Sequence, residues 1–138
     1  MKDYYIIAIY FTIIVVCIFG YGIYRCKSKN YDSKNDPLMK KLGIFDLDGW
    51  SITHLITFLV AGYFYPDKKN IFIIVGVVWE FVEYFLGTKL GRNFVIGVGD
   101  CSISTDPKEL WWYGRVTDVI INIFGLYLGI YLKNRKLG

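Results

Sequence analysis

Polar surface is what this sequence has least of. Only 20% of its 138 residues are charged, against 54% hydrophobic and 19% aromatic, which is one domain's length with too little polar area to cover a water-soluble fold. Cysteine is sparse: Cys17, Cys26 and Cys101 show no metal-ligand spacing and leave one unpaired, so neither a disulfide framework nor a zinc site is expected. A basic stripe interleaved with stacking aromatics is also missing, which argues against nucleic acid as a partner. The formal net charge of +4 comes from Lys and Arg gathered between and beyond the apolar blocks, a placement suited to anionic headgroups. There is no internal repeat or low-complexity tract, and His54 is the single histidine.

What the sequence does have is those blocks. Residues 4–24 carry no charge over 21 positions, enough for a helix to cross a hydrocarbon core of roughly 30 Å. The rival reading, a cleaved signal peptide, finds only Lys2 ahead of the block and no small-x-small site behind it. Residues 25–47 read as a flexible, basic surface linker followed by a segment lying in the membrane interface. Residues 48–138 read as a core of three membrane helices, over 51–65, 71–87 and 116–132. They are joined by the tight turn at Pro66 and by a long polar loop, 88–114, that ends in the aromatic anchor Trp111-Trp112-Tyr113. The expected fold is therefore all-α: a small polytopic membrane bundle of about four transmembrane helices. The linker and long loop, with Arg115 just after it, hold ten Lys or Arg against six on the other side, which favours a cytoplasmic linker and loop, although the basic run after residue 132 argues the other way.

Glu80 and Glu83 interrupt an otherwise membrane-like helix and share one of its faces, at i and i+3. Ionisable groups at that depth cost several kcal/mol unless they meet water, a proton, a cation or a hydrogen-bond partner, so the pair marks a site. At a rise of about 1.5 Å per residue, His54, Glu83, Glu80, Asp118 and Asn122 all fall on the same membrane side, roughly 5 to 10 Å below the surface. Asp118, Asn122, Gly125 and Gly129 form one stripe on the last helix, and its two glycines invite a close neighbour. Glu80, Glu83 and Asp118 offer hard oxygen donors suited to Ca²⁺, with Mg²⁺ or Mn²⁺ as second choices. Protonated glutamates, or pairing with Arg92 or Arg115, are the plain structural alternatives. Beside such a site a neutral His54 would act as general base, with ligand and structural roles as alternatives. The candidate catalytic set is thus His54, Glu83 and Asp118, with Asp48, Glu109, Asn122 and Trp112 as candidate substrate contacts. Trp79 reads as a packing anchor, and Asn93, Asp100 and Asp106 as capping or solvated loop residues.

In this order the residues resemble the core of the base-exchange phosphatidylserine synthases. That family shows an Asp six residues before a helical His, a Trp-Glu-x-x-Glu helix, and a Glu-Cys-Trp-Trp-Asp segment leading into a helix that opens with Asp-Ile or Asp-Val. The counterparts are Asp48 with His54; Trp79, Glu80 and Glu83; Glu109 to Tyr113; and Asp118-Val119. Leu110 and Tyr113 stand where the family has Cys and Asp. The tail Asp118-x-x-x-Asn122-x-x-Gly125-x-x-x-Gly129 is also similar to VanZ-like membrane proteins. The first resemblance implies Ca²⁺-dependent exchange of a phospholipid's choline or ethanolamine for L-serine or another small alcohol, in an endoplasmic-reticulum-like membrane. The second implies a non-catalytic lipid- or amphiphile-binding protein. A homo-oligomer, including an ion-conducting one lined by Glu80 and Glu83, is a third expectation.

Overall fold

The computed structural model describes residues 2–28, 36–43, 45–102 and 110–137. They are all-helical, with no extended strand among them. The helices are α1 (Lys2–Lys27), α2 (Gly49–Phe64), α3 (Lys69–Gly87), the short α4 (Lys89–Val95) and α5 (Val116–Leu137). Three helical segments, residues 2–27, 66–87 and 116–136, are long and apolar enough to cross a membrane, and α2 is a shorter apolar helix of 16 residues.

The side chains are distributed the wrong way round for water. On α3, Glu80 and Glu83 are 6% and 9% exposed while Phe81 and Tyr84 are 70% and 66% exposed. On α5, Asp118 and Asn122 are buried while Ile120, Phe124 and Tyr131 face out. Acids inside and aromatics outside is the pattern of helices surrounded by hydrocarbon, in which each backbone polar group is satisfied within its own helix.

The chain divides into two units. One holds residues 1–31 and 86–112, so the described parts of the long loop up to Trp112, residues 88–102 and 110–112, fold with α1. Cys26, in the last turn of α1, is disulfide-bonded to Cys101. This corrects the expectation of no disulfide framework: two of the three cysteines pair across 75 residues, a separation at which spacing carries no signal, and only Cys17 is free. Around the disulfide, Gly99 N–H donates to the Gly22 carbonyl at 3.0 Å, Trp111 stacks on Tyr21 and Trp112 packs on Phe19.

The other unit holds residues 32–85 and 113–138. Its helices α2 and α5 run in the same direction, since Ser51 meets Asp118, His54 meets Asn122, and Leu59 meets Gly129. A Cβ on Gly129 would strike the Leu59 carbonyl oxygen, and one on Gly125 would lie 2.6 Å from the Leu55 carbonyl oxygen, so the expected small-residue stripe is what lets α2 approach. α3 runs the opposite way, with Gly76 against Phe58. The linker also differs from expectation, because its second part is folded. Asp36 is buried and accepts the Leu38 N–H at 3.0 Å, the Leu38 carbonyl accepts the Trp50 N–H at 3.0 Å, and Lys41 pairs with Asp48. These bonds cover the start of α2, where backbone donors would otherwise lack partners.

Candidate functional site

The site lies at the ends of three helices in the second unit. Asp48 caps α2 with extended backbone, accepting the Ser51 N–H at 3.1 Å while its own N–H donates to Ser51 Oγ at 3.4 Å. This is a capping box built on Asp and Ser, and it fixes both side chains at the mouth of α2. The Ser51 hydroxyl then donates to Asp118 Oδ1 at 2.7 Å, tying the starts of α2 and α5 together.

Arg115, just ahead of α5, is the hub of the polar end. Its Nη2 donates to Asp48 Oδ2 at 2.6 Å and its Nε to Asp118 Oδ2 at 3.2 Å, while Nη1 donates to the Asp46 carbonyl. The guanidinium lies 4.4 Å from the Tyr113 ring centroid, a cation–π contact, and the Tyr113 hydroxyl donates to Asp48. Burial pushes that hydroxyl's pKa well up, and the neighbouring Asp48 carboxylate adds to the shift, so Tyr113 remains a proton donor at any physiological pH. Asp46, on the surface, is held below the usual carboxylate range by its bond to Lys41 at 3.1 Å.

The imidazole stands between the two glutamates. His54 Nδ1 is 2.9 Å from Asn122 Oδ1 and 3.4 Å from Glu80 Oε1, and His54 Nε2 is 4.0 Å from Glu83 Oε2. An amide oxygen only accepts, so this bond places the proton on Nδ1 and leaves the Nε2 lone pair directed towards Glu83. Glu80 is anchored through Oε2, which accepts the Arg115 N–H at 3.0 Å. That approach needs Gly114: a Cβ there would collide with the Glu80 carbonyl oxygen.

One ligand atom from each of His54, Glu80 and Glu83 lies within 4.8 Å of the others. The trio fits a divalent cation, since Glu80 Oε1 is buried with no hydrogen bond and the histidine's second nitrogen is held by a carbonyl oxygen, as in metal-ligating histidines. Asp118, the third ligand expected from sequence, has both oxygens engaged, by Ser51 and by Arg115, and His54 takes its place in the trio. Two carboxylates and an imidazole suit Mn²⁺ or Zn²⁺ at least as well as Ca²⁺, which favours all-oxygen shells.

Of the candidate substrate contacts, Asp48 and Asn122 belong to this network. Trp112 belongs to the first unit, where its indole N–H donates to the Val98 carbonyl at 2.7 Å and its ring packs on Phe19. Glu109 lies outside the described residues, as does Asp106. Asp100 caps the Trp111 N–H at 2.8 Å within the first unit. Ser51 and Tyr113 are site residues that the sequence reading passed over, and Arg115 entered it only as a pairing alternative. The Asp-x-x-Ser spacing at residues 48–51, just before an apolar run, was the signal for Ser51.

These observations define an all-helical protein, with helices that can cross a membrane, built around a buried acid–imidazole cluster. No protein-family model, curated protein or solved structure matches the chain.

Proposed function

We propose that the chain is an integral-membrane phospholipid headgroup-exchange enzyme of the base-exchange phosphatidylserine synthase type, acting in a membrane like that of the endoplasmic reticulum. The observation that carries this reading is His54 itself, fixed by Asn122 at 2.9 Å with its free nitrogen turned to Glu83 among buried carboxylates. His54 Nε2 takes the proton of the incoming hydroxyl, the hydroxyl oxygen forms a bond to phosphorus, and the bond from phosphorus to choline or ethanolamine oxygen breaks. The protonated imidazole then returns its proton to the departing alcohol, so the reaction needs no nucleotide. A divalent cation held by His54, Glu80 or Glu83 would neutralise charge gathering on the phosphodiester; where it engages Nε2, the base role passes to Glu83. Arg115, Asp48 and Asp118 position the helix ends that carry these groups.

The test is direct. Purified protein in phosphatidylcholine or phosphatidylethanolamine vesicles, given labelled serine and Ca²⁺ or Mn²⁺, should form labelled phosphatidylserine, and EDTA should stop it. Folded protein that forms none under either ion overturns the proposal.

One observation favours a second reading, a non-catalytic lipid- or amphiphile-binding protein of VanZ-like type. Arg115 is engaged by Asp46, Asp48 and Asp118, so it directs no free charge at a phosphate. This reading predicts lipid binding without turnover, unchanged in His54→Gln.

A further inference from the structure

A covalent bond between the end of one helix and a loop limits how the chain can cross a membrane. Cys26 closes α1 and Cys101 lies in the connection between α3 and α5, so their disulfide puts both on one side. The number of crossings between them must then be even. With α3 counted as a span, α2 must be one too, although its 16 residues reach only about 24 Å along the axis. The shared direction of α2 and α5 agrees, since both must begin on the disulfide's side.

Disulfides persist in oxidising compartments and are kept reduced in the cytosol. We infer that the membrane face carrying Cys26 and Cys101 is the non-cytoplasmic one, and that the His54–Glu80–Glu83 site is served from that face. Helix direction alone gives the second step. His54 is six residues into α2, Glu83 is four residues from the end of α3, and Asp118 is in the first turn of α5, so all belong to the helix ends that chain connectivity assigns to the side of Cys26 and Cys101. This reverses the orientation drawn from the count of ten basic residues against six. It also puts Lys133, Arg135 and Lys136, the basic run closing α5, on the cytoplasmic side, as the positive-inside tendency favours next to a span. Where the headgroup-exchange reading holds, the lipid comes from the non-cytoplasmic leaflet and the alcohol from outside the cytosol.

The experiment reads topology without activity, so it stands apart from the assay above. Protein carrying Cys17→Ser is trapped, with a membrane-impermeant maleimide, in sealed vesicles whose outer surface is the non-cytoplasmic face. Cys26 and Cys101 should take up no label until an impermeant reductant is added outside, and both should label after it. With Lys41→Cys, at an exposed position ahead of α2, label should enter directly; with Lys68→Cys, in the turn before α3, only after permeabilisation. Non-reducing peptide mapping of the unmodified chain should recover the Cys26–Cys101 cross-link. Free thiols at both positions in trapped protein, or the reverse pattern for Lys41→Cys and Lys68→Cys, overturn the inference.

Discussion

Helices α2 and α5 meet along one seam with two unlike halves. Towards their C-termini the contact is made of glycine against backbone: Gly62 on Leu126, Gly125 on Leu55 and Gly129 on Leu59. Towards their N-termini it is made of Ser51 on Asp118 and His54 on Asn122, with Arg115 and Glu80 behind. Between apolar helices in hydrocarbon, close van der Waals packing of small residues is itself a sufficient adhesive. The glycine half therefore accounts for association. The polar half buries four carboxylates and an imidazole beside the half-buried Arg115, and replacing such groups with well-packed apolar residues is often neutral or stabilising. Groups held at that cost, in a region where packing is already solved, are the ones the proposed chemistry would use.

The comparison breaks most sharply at His54. If the polar half serves chemistry, His54→Gln, which keeps a similar volume and a donor for Asn122, should lower serine exchange by about 10²- to 10⁴-fold. The thermal midpoint should stay close to that of the parent protein. A collapse of stability with no selective loss of rate would make the imidazole structural.

Arg115→Met should act on stability instead. It leaves Asp48 and Asp118 without their shared cation, and breaking a buried pair in this way costs about 3–5 kcal/mol. Chemical denaturation in mild detergent checks it, and the double variant with Asp118→Asn should recover part of the loss. In the other half, Gly129→Leu forces a side chain into the Leu59 backbone and should cost about 1–3 kcal/mol by overpacking. Exchange in the fraction that stays folded should be retained.

Much of the second unit was legible in the sequence because hydrophobic length and polar interruption are local signals. The run 71–87 appears as α3 two residues longer at its start, and Glu80 and Glu83 are buried on one face as their spacing required. His54, Glu80, Glu83 and Asn122 come together as their matched positions along antiparallel helices require, whichever way the helices point. What escaped was of two kinds. Long-range covalent and hydrogen-bond pairings, such as Cys26 with Cys101 or Arg115 with Asp48, depend on the tertiary fold and leave no mark in spacing. The residues 36–43 looked like linker because polarity and Pro37 are shared by flexible chain and by the tight turn that covers the start of α2.

A smaller effect separates burial from function. Asp100 is an acid 4% exposed, as deeply buried as those of the site, yet it serves the Trp111 N–H and nearby charges in the first unit. Its carboxyl is pushed up by burial, with the Trp111 N–H and the charges of Arg92 and Arg25 offsetting part of the shift. A carboxyl raised on folding contributes stability that is fully present below its unfolded pKa and is lost as pH rises through the folded one. Asp100→Asn mimics the protonated form, so at pH 7 it should raise the thermal midpoint by about 1–3 °C and the gain should vanish towards pH 4. Serine exchange should not change. A variant that stays folded but loses exchange would show that buried acids outside the polar half also matter to the chemistry, and the contrast between the two halves of the seam would no longer mark the site.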